Sequence, residues 1–394
     1  MGFFLAATLF FLASCAAPMQ EGGVTVMPGA GARMLIAMRY GMAPVGEAVR
    51  PAEARRAVVA EQLPPGAAKS GKLGDYVLDN GIVGVVIGNV DGSGRSGKLI
   101  DFARWGGDGD DLVGLDIEVL GAPVRYQTIK TGYDPALAAA YVSVTGDLVT
   151  HAGGRASVET RYDLAPGLDA VLVSTRIKIV ASEPASDESE PSPAPTPLLV
   201  ERVGVLDGRS TLADTRGPFL AELGPFAGYA LQPAADGELG KNRVEVSRAK
   251  TPGVGGTFLY ARTLTALERP DSLAAEVAYA RTLGEPFGDL EVRVGPAVDP
   301  RAPGDIELVA STGRHLTARA VPACGTPRGY RVRAPAGSYA IGWRGEALAS
   351  SDGAHVDVAS DRLTFVDVAT RPSAEPYEAP PRLRRCPKDD GPEP

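Results

Sequence analysis

Between residues 171 and 179 the chain alternates between apolar and polar side chains, with Leu172 and Thr175 as exceptions. Val171, Val173, Ile177 and Ile179 fall on one side, and Ser174, Arg176 and Lys178 on the other. A period of two with one apolar side is the pattern of a strand that buries one face and wets the other. Such a strand is stable only when paired, so this segment commits its surroundings to a sheet. Comparable short apolar stretches recur along the chain. The clearest runs from Asp75 to Ile87, where Asn80-Gly81 separates two of them, a strong local signal for a hairpin. Further strands are expected at 98–102, 116–120, 141–145, 156–162, 170–180, 198–206, 243–247, 257–262 and 290–294. Frequent turns require Gly and Pro, and the chain supplies 48 and 33 of them. The fold class is therefore mainly β.

The 394 residues suit two or three domains. A large β-sandwich, of plain or supersandwich type, is placed at 74–295, ahead of a Pro-rich hinge at 296–303. From 304 to 370 short strands recur every eight to ten residues, at 306–309, 316–321, 330–333, 339–343, 355–358 and 363–368, the spacing of a small second β-sandwich. Residues 182–197 contain Glu, Asp, Ser and Pro with no large apolar side chain. They are expected to be a disordered insertion within the first sandwich. Two helices are predicted. One covers 51–63, with Pro51 and Glu53 in the first turn and Pro64-Pro65 stopping it; the other covers 273–283, although its Ala-rich spacing also suits a strand. Residues 371–394 read as an extended tail.

The amino terminus carries an apolar run of ten, from Phe3 to Leu12, followed by Leu12-Ala13-Ser14-Cys15. The run is too short to span a bilayer and has the length of a signal-peptide core. Its end resembles the bacterial lipobox, which implies cleavage before Cys15 and a lipid on its thiol. No Lys or Arg precedes Cys15, a departure from the usual basic start. Ala16 stands where an Asp would imply inner-membrane retention, so the resemblance implies an outer-membrane location in the cell envelope. Residues 16–73 are then an extension leading to the first sandwich. Of the three cysteines, Cys324 and Cys386 remain as a candidate disulfide, which would contribute about 4 kcal/mol by closing its loop. The alternative is two separate thiols.

The chemistry-bearing residues are sparse. His151, His315 and His355 lie in three separate segments, and there is no His-x-His, His-Glu-x-x-His or Cys-x-x-Cys pair to seed a metal site. Neither a Gly-x-Ser-x-Gly elbow nor a P-loop occurs. The run Gly92-Ser93-Gly94-Arg95-Ser96-Gly97 lacks the following helix of a phosphate cradle and reads as a mobile turn. The most polar cluster is Gly106 to Asp111. Its Asp108, Asp110 and Asp111 form either a solvated acidic turn or a loop Ca²⁺ site, which makes Ca²⁺ the one candidate cofactor. Asp101 and Trp105 just precede it, so Asp101, Trp105, Asp108, Asp110 and Asp111 are the candidate rim of a ligand cleft. Trp105, Tyr126 and Tyr133 are the candidate aromatic platform for a sugar. A net charge of −8, half of it from Glu183, Asp187, Glu188 and Glu190, argues against nucleic acid as a partner.

The segments 74–80, 83–87 and 97–101 (Gly-Asp-Tyr-Val-Leu-Asp-Asn, Val-Gly-Val-Val-Ile and Gly-Lys-Leu-Ile-Asp) resemble the β-rich N-terminal part of myxobacterial lipoproteins that end in a PHP-type (CehA/McbA-like) metallohydrolase domain. They are also similar to mutarotase-like β-supersandwiches, which handle carbohydrates. The turn from Ala334 to Ile341 resembles the proline/glycine hairpin of carboxypeptidase-regulatory-like, transthyretin-like and Ig-like modules. The hydrolase's His and Asp ligands have no counterpart here, and a mutarotase His pair is missing too, so the resemblance implies architecture without activity. The resulting expectation is a non-enzymatic envelope lipoprotein, held at the membrane by its lipid, that binds a glycan or an envelope protein. The alternatives are a carbohydrate-active enzyme on a supersandwich scaffold and an accessory subunit of a metallohydrolase.

Overall fold

The computed structural model describes residues 50–64, 66, 70–105, 111–135, 138–150, 153–181, 196–206, 210–213, 219–233, 237–239, 243–295, 304–320, 329–345, 348–351, 353–373 and 377. Strands take up 61% of these, against one α-helix, so the protein is mainly β.

Strands β1 (Glu53–Arg56), β2 (Tyr76–Asp79), β3 (Val83–Ile87) and β4 (Leu99–Arg104) form a four-stranded sheet in that order. The chain continues through β5 (Leu112–Val119), β6 (Ala122–Pro123), β7 (Arg125–Asp134), β8 (Ala139–Val149), β9 (Arg155–Leu164), β10 (Ala170–Ala181) and β11 (Leu199–Val205). There follow β12 (Ser210–Ala213), β13 (Leu220–Leu223), β14 (Gly228–Pro233), β15 (Gly237–Leu239), β16 (Val244–Val246) and β17 (Thr257–Ala266). Eight of these pair in the order β12-β13-β14-β17-β10-β9-β8-β7, and five in the order β15-β16-β11-β5-β6. Leu78, Val85 and Phe102 of the four-stranded sheet, Leu115 and Val203 of the five-stranded sheet, and Val142, Tyr162, Val173 and Leu264 of the eight-stranded sheet share one buried cluster. The eight-stranded sheet thus faces both smaller sheets across a single core, a large sandwich. The alternation in β10 positions it: Val171, Val173, Ile177 and Ile179 enter that core, while Arg176 and Lys178 are exposed.

A fully buried ion pair crosses the core. Arg262 on β17 donates from Nε to Glu201 Oε1 on β11 at 2.6 Å, with both side chains fully buried. Its Nη1 also donates to Thr175 Oγ1 at 2.6 Å and to the Val173 carbonyl at 3.3 Å. Burial raises the Glu201 carboxyl above its ordinary value, and the Arg262 guanidinium pulls it back.

After β17 comes α1 (Ser272–Thr282), capped by the Asp271 carboxylate, which accepts from Ala274 N at 2.8 Å. Every residue from Leu273 to Ala280 is buried, so the helix has no wet face and no amphipathic period. Its sequence therefore lacks the period that would separate a helix from a strand. Leu273 packs into the second sandwich, while Ala274, Ala275, Ala278 and Tyr279 pack with Phe219, Ala221 and Ala230 of the first.

The second sandwich contains β18 (Phe287–Val294), β19 (Gly304–Ala310), β20 (His315–Arg319), β21 (Gly329–Pro335), β22 (Gly337–Gly345), β23 (Leu348–Ser350), β24 (Ala354–Val358), β25 (Leu363–Val368) and β26 (Thr370–Pro372). A sheet ordered β21-β18-β25 faces one ordered β20-β19-β22-β23-β26, with β24 also on β22. Between them Trp343 stacks on Tyr330 at 4.7 Å.

Several expectations need correction. Residues 51–63 are not a helix: β1 pairs antiparallel with β2, and only Ala60–Gln62 forms a 3-10 turn. Ala52 and Ala54 are buried at a spacing of two while Glu53 is exposed, so sheet pairing overrides a composition that suits a helix. The first sandwich does not extend to 295. Strand β18 pairs with β21 and, in parallel, with β25, and Leu290 and Val292 lie in the second core. The Pro335-Gly337 turn is not a hairpin, because β21 and β22 pair in different sheets and the turn crosses between them. The second sandwich also extends past 370, since β26 pairs with β23. The run 91–97 forms turns, as expected, and is closed by hydrogen bonds: Asp91 accepts from Ser93 N at 2.9 Å and from Ser96 Oγ at 3.0 Å. The Ser93 and Ser96 contacts lower its carboxyl to about 2. Residues 182–195 and 296–303 lie outside the described residues.

Candidate functional site

The four-stranded sheet turns Leu78, Val83, Val85 and Phe102 into the sandwich core. On its opposite face, Val77, Val86 and Ile100 pack with Ala57 and the partly buried Leu63. Ala57, Leu63 and Gly71 thus lie over this outer face. They leave a cleft of about 460 Å³ lined by Ala60, Glu61, Leu63, Pro64, Gly71, Asp101 and Trp105.

The strand register explains who meets there. Val86 pairs with Asp101 and Gly84 with Ala103, so Asp101 stands beside Val86, and Trp105 follows the end of β4. Gly84 is the floor under the indole. A Cβ there would lie 2.8 Å from Pro64 Cγ and 3.1 Å from Trp105 Cζ2, so only a residue without a side chain lets both rings settle on the sheet. Asp79 fixes the tryptophan from behind: Trp105 Nε1 donates to its Oδ1 at 2.9 Å. Asp79 also accepts from Gly81 N at 2.8 Å, from Arg55 Nη2 at 2.9 Å and from Arg50. Burial alone would raise this carboxyl, but these donors outweigh it and hold it below its ordinary value. The arginines are thereby turned to Asp79.

Asp101 is buried, and its Oδ2 accepts from Gly71 N at 3.3 Å, which ties the covering stretch to β4. Glu61 is exposed on the 3-10 turn. Gln62 holds that turn by accepting from Val58 N at 2.8 Å and Val59 N at 3.3 Å. The cleft thus offers an indole ring, a proline and a leucine as apolar surface, with two carboxylates in its lining, of which Glu61 is exposed. This combination suits a compact ligand that has both a nonpolar face and hydrogen-bond donors.

The structure brings together only part of the expected rim. Asp101 and Trp105 share the cleft. Asp108 and Asp110 lie outside the described residues, as do Cys15, Cys324, Cys386 and His151. Asp111 is fully buried and turned inward: its Oδ2 accepts from Phe226 N and Ala227 N, both at 2.6 Å. It therefore shapes the 224–227 turn and is not on a rim. Tyr126 belongs to the core. Its hydroxyl bonds Thr160 Oγ1 at 2.7 Å, and burial raises its phenol to about 12. Tyr133 is exposed on β7, at the edge of the eight-stranded sheet, so the three aromatics form no common platform. His315 and His355 are exposed on β20 and β24 of the second sandwich. Among the described residues no group of three or more His, Cys, Asp or Glu side chains could hold a metal ion.

Sequence reasoning assigns Glu61, Leu63, Pro64 and Gly71 to no site, because the stretch that carries them reads as a short helix within an N-terminal extension, with Leu63 at most docking on the body. It also missed Asp79 as the anchor of Trp105 and Gly84 as its floor. A local signal existed for Gly84 alone, a glycine in the middle of an apolar strand, which often marks close approach of another group. No protein-family model and no curated protein matches this chain.

Proposed function

We propose that this protein is an exported bacterial envelope lipoprotein, anchored through Cys15 at the outer membrane, whose first sandwich binds a glycan in the Trp105–Asp101 cleft without transforming it. The observation that carries the binding reading is the cleft itself: an indole held rigid by Asp79 beside a buried carboxylate. Sugar rings present C–H faces that pack on an indole and hydroxyls that donate to carboxylates. On this reading the protein is kin to the β-rich parts of metallohydrolase lipoproteins, and the second sandwich is a spacer or a docking module.

The chain has two tryptophans, and Trp343 is buried in the second sandwich, so ligand-induced fluorescence changes report on Trp105. Titration of the full-length chain with mono- and oligosaccharides should give a saturable change that Trp105→Ala removes. No response to any sugar would refute the glycan reading and direct the search to an envelope protein. Anchoring has its own test. Cys15→Ser should move the protein from the membrane fraction to the soluble fraction and abolish fatty-acid labelling.

A second reading, glycoside hydrolysis, is favoured by one observation, that two carboxylates, Asp101 and Glu61, line the same cleft. Chromatography of a bound oligosaccharide after long incubation separates the two: shortened products that vanish in Asp101→Asn support the enzyme, and intact ligand supports the binder.

A further inference from the structure

Two backbone segments meet at the rim of the cleft and carry apolar side chains into solvent. The pairing of β1 with β2 runs on past Arg56: Ala57 N donates to the Asp75 carbonyl and Gly74 N to the Ala57 carbonyl, both at 2.8 Å. Residues 72–74 therefore lie alongside 57–59. Val58, Val59 and Leu73 are 67%, 47% and 59% exposed. Val59 directly precedes Ala60 of the lining, and Leu73 follows Gly71 by two residues, so this patch runs on into the apolar lining made by Leu63, Pro64 and Trp105. Single exposed apolar residues are ordinary, but three that adjoin a ligand cleft mark an interaction surface. A free glycan offers these side chains a hydroxyl-rich surface, which stabilises none of them.

We infer that the glycan taken by this cleft is the headgroup of a membrane lipid, bound with Val58, Val59 and Leu73 seated in the lipid surface around it. This deepens the glycan reading above and rests on it and on the anchor at Cys15. The structure describes the chain from Arg50 onward. A lipid on Cys15 holds Arg50 within about 120 Å of the bilayer whatever path residues 16–49 take, because each residue spans at most about 3.6 Å. The first sandwich is thus confined beside a lipid surface, where a weak apolar contact suffices because headgroup and surface are met together. Apolar side chains that dip into the headgroup boundary gain in proportion to the area they bury. Burying about half of the exposed part of these three side chains corresponds to a gain in binding on the order of tenfold.

The test uses the full-length chain, lipidated at Cys15 and reconstituted into phosphatidylcholine nanodiscs, with Trp343→Phe so that the emission reports on Trp105. Free glucose and galactose are titrated, and in parallel the nanodiscs are made with rising fractions of glucosyl- and galactosyl-diacylglycerol. The triple variant Val58→Ser/Val59→Ser/Leu73→Ser should need on the order of tenfold more glycolipid for the same emission change, with its response to free sugar unchanged. Both chains carry the same anchor, so the proximity it supplies cancels in this comparison. The three side chains are exposed, and circular dichroism checks that the variant is folded. Equal responses of the two chains to the glycolipids would overturn the lipid inference and leave the glycan reading standing. So would a response to free sugar with none to glycolipid, or an equal loss for free sugar in the variant. No response to sugar or glycolipid would refute the inference and the glycan reading together. Failure of the chain to co-purify with the nanodiscs would overturn the anchor and with it this inference, while the free-sugar titration still tests the glycan reading by itself.

Discussion

Replacing Arg262 with methionine tests how the large sandwich holds its two layers in register. Arg262 and Glu201 are the charged pair that crosses the core from β17 to β11, and both side chains are fully buried. Methionine matches the length of the arginine stem and removes the charge, which leaves Glu201 buried without its partner. It also strands Thr175 Oγ1, though Thr160 Oγ1 lies 3.3 Å away as a substitute. Removing one member of a buried pair typically costs about 3–5 kcal/mol. For a domain of this size that corresponds to a drop in Tm of roughly 6–20 °C. The sign of the pH dependence follows from the raised Glu201 carboxyl. A carboxyl whose folded pKa exceeds its unfolded value contributes stability below the unfolded value, and that contribution is lost as pH rises through the folded pKa. Without Arg262 the folded pKa rises further, so the variant should be least destabilised near pH 4 and most destabilised at neutral pH. The assay is thermal unfolding followed by Trp105 fluorescence in a Trp343→Phe background, at pH 4 and pH 7. The double variant Glu201→Leu/Arg262→Met should recover most of the loss, because an apolar pair leaves no buried charge. A loss below about 1 kcal/mol in the single variant, or a double variant no better than the single, would refute the argument.

Three further outcomes follow from the same structure. Gly84→Ala should cost about 1–3 kcal/mol by overpacking Pro64 and Trp105, and it should shift the Trp105 emission while circular dichroism of the sheets is preserved; an unchanged spectrum would show that the indole does not rest on Gly84. Asp305 has its carboxyl raised to about 6, chiefly by burial, with Asp271 and Glu307 adding to the effect against Arg319 and Arg344. The cost of its ionisation therefore sets in between its ordinary value and pH 6 and is full above that, so Asp305→Asn should stabilise the protein at pH 7 by about 1–3 kcal/mol and leave it nearly unchanged at pH 4, as measured by urea unfolding at the two pH values. Asp111→Ala should cost about 2–4 kcal/mol, because the amides of Phe226 and Ala227 lose their acceptor, and hydrogen exchange should quicken at those two amides.

The sequence by itself determined the local geometry of this protein. Alternation placed Val171, Val173, Ile177 and Ile179 on the core side of a strand, Asn80-Gly81 marked the turn between β2 and β3, and the six expected strands of the second sandwich are all present. These features depend on side-chain period and turn chemistry within a few residues, which any reader of the chain can see. The nearness of Asp101 and Trp105 was legible for the same reason, since four positions along a strand end keep them on one stretch of sheet. What the tertiary structure alone decided were the long-range pairings. Within 51–63, Glu53–Arg56 became an edge strand because β2 offered its hydrogen bonds and the core accepted Ala52 and Ala54. Tyr126 and Asp111 turned inward to partners at Thr160 and at the 226–227 amides, far away in sequence. The cleft itself exists because Glu61, Leu63 and Pro64 fold over a sheet face that no local pattern marks as covered. A strand's period fixes which side chains share a face; only the packing of other elements determines whether that face meets core, solvent or a ligand.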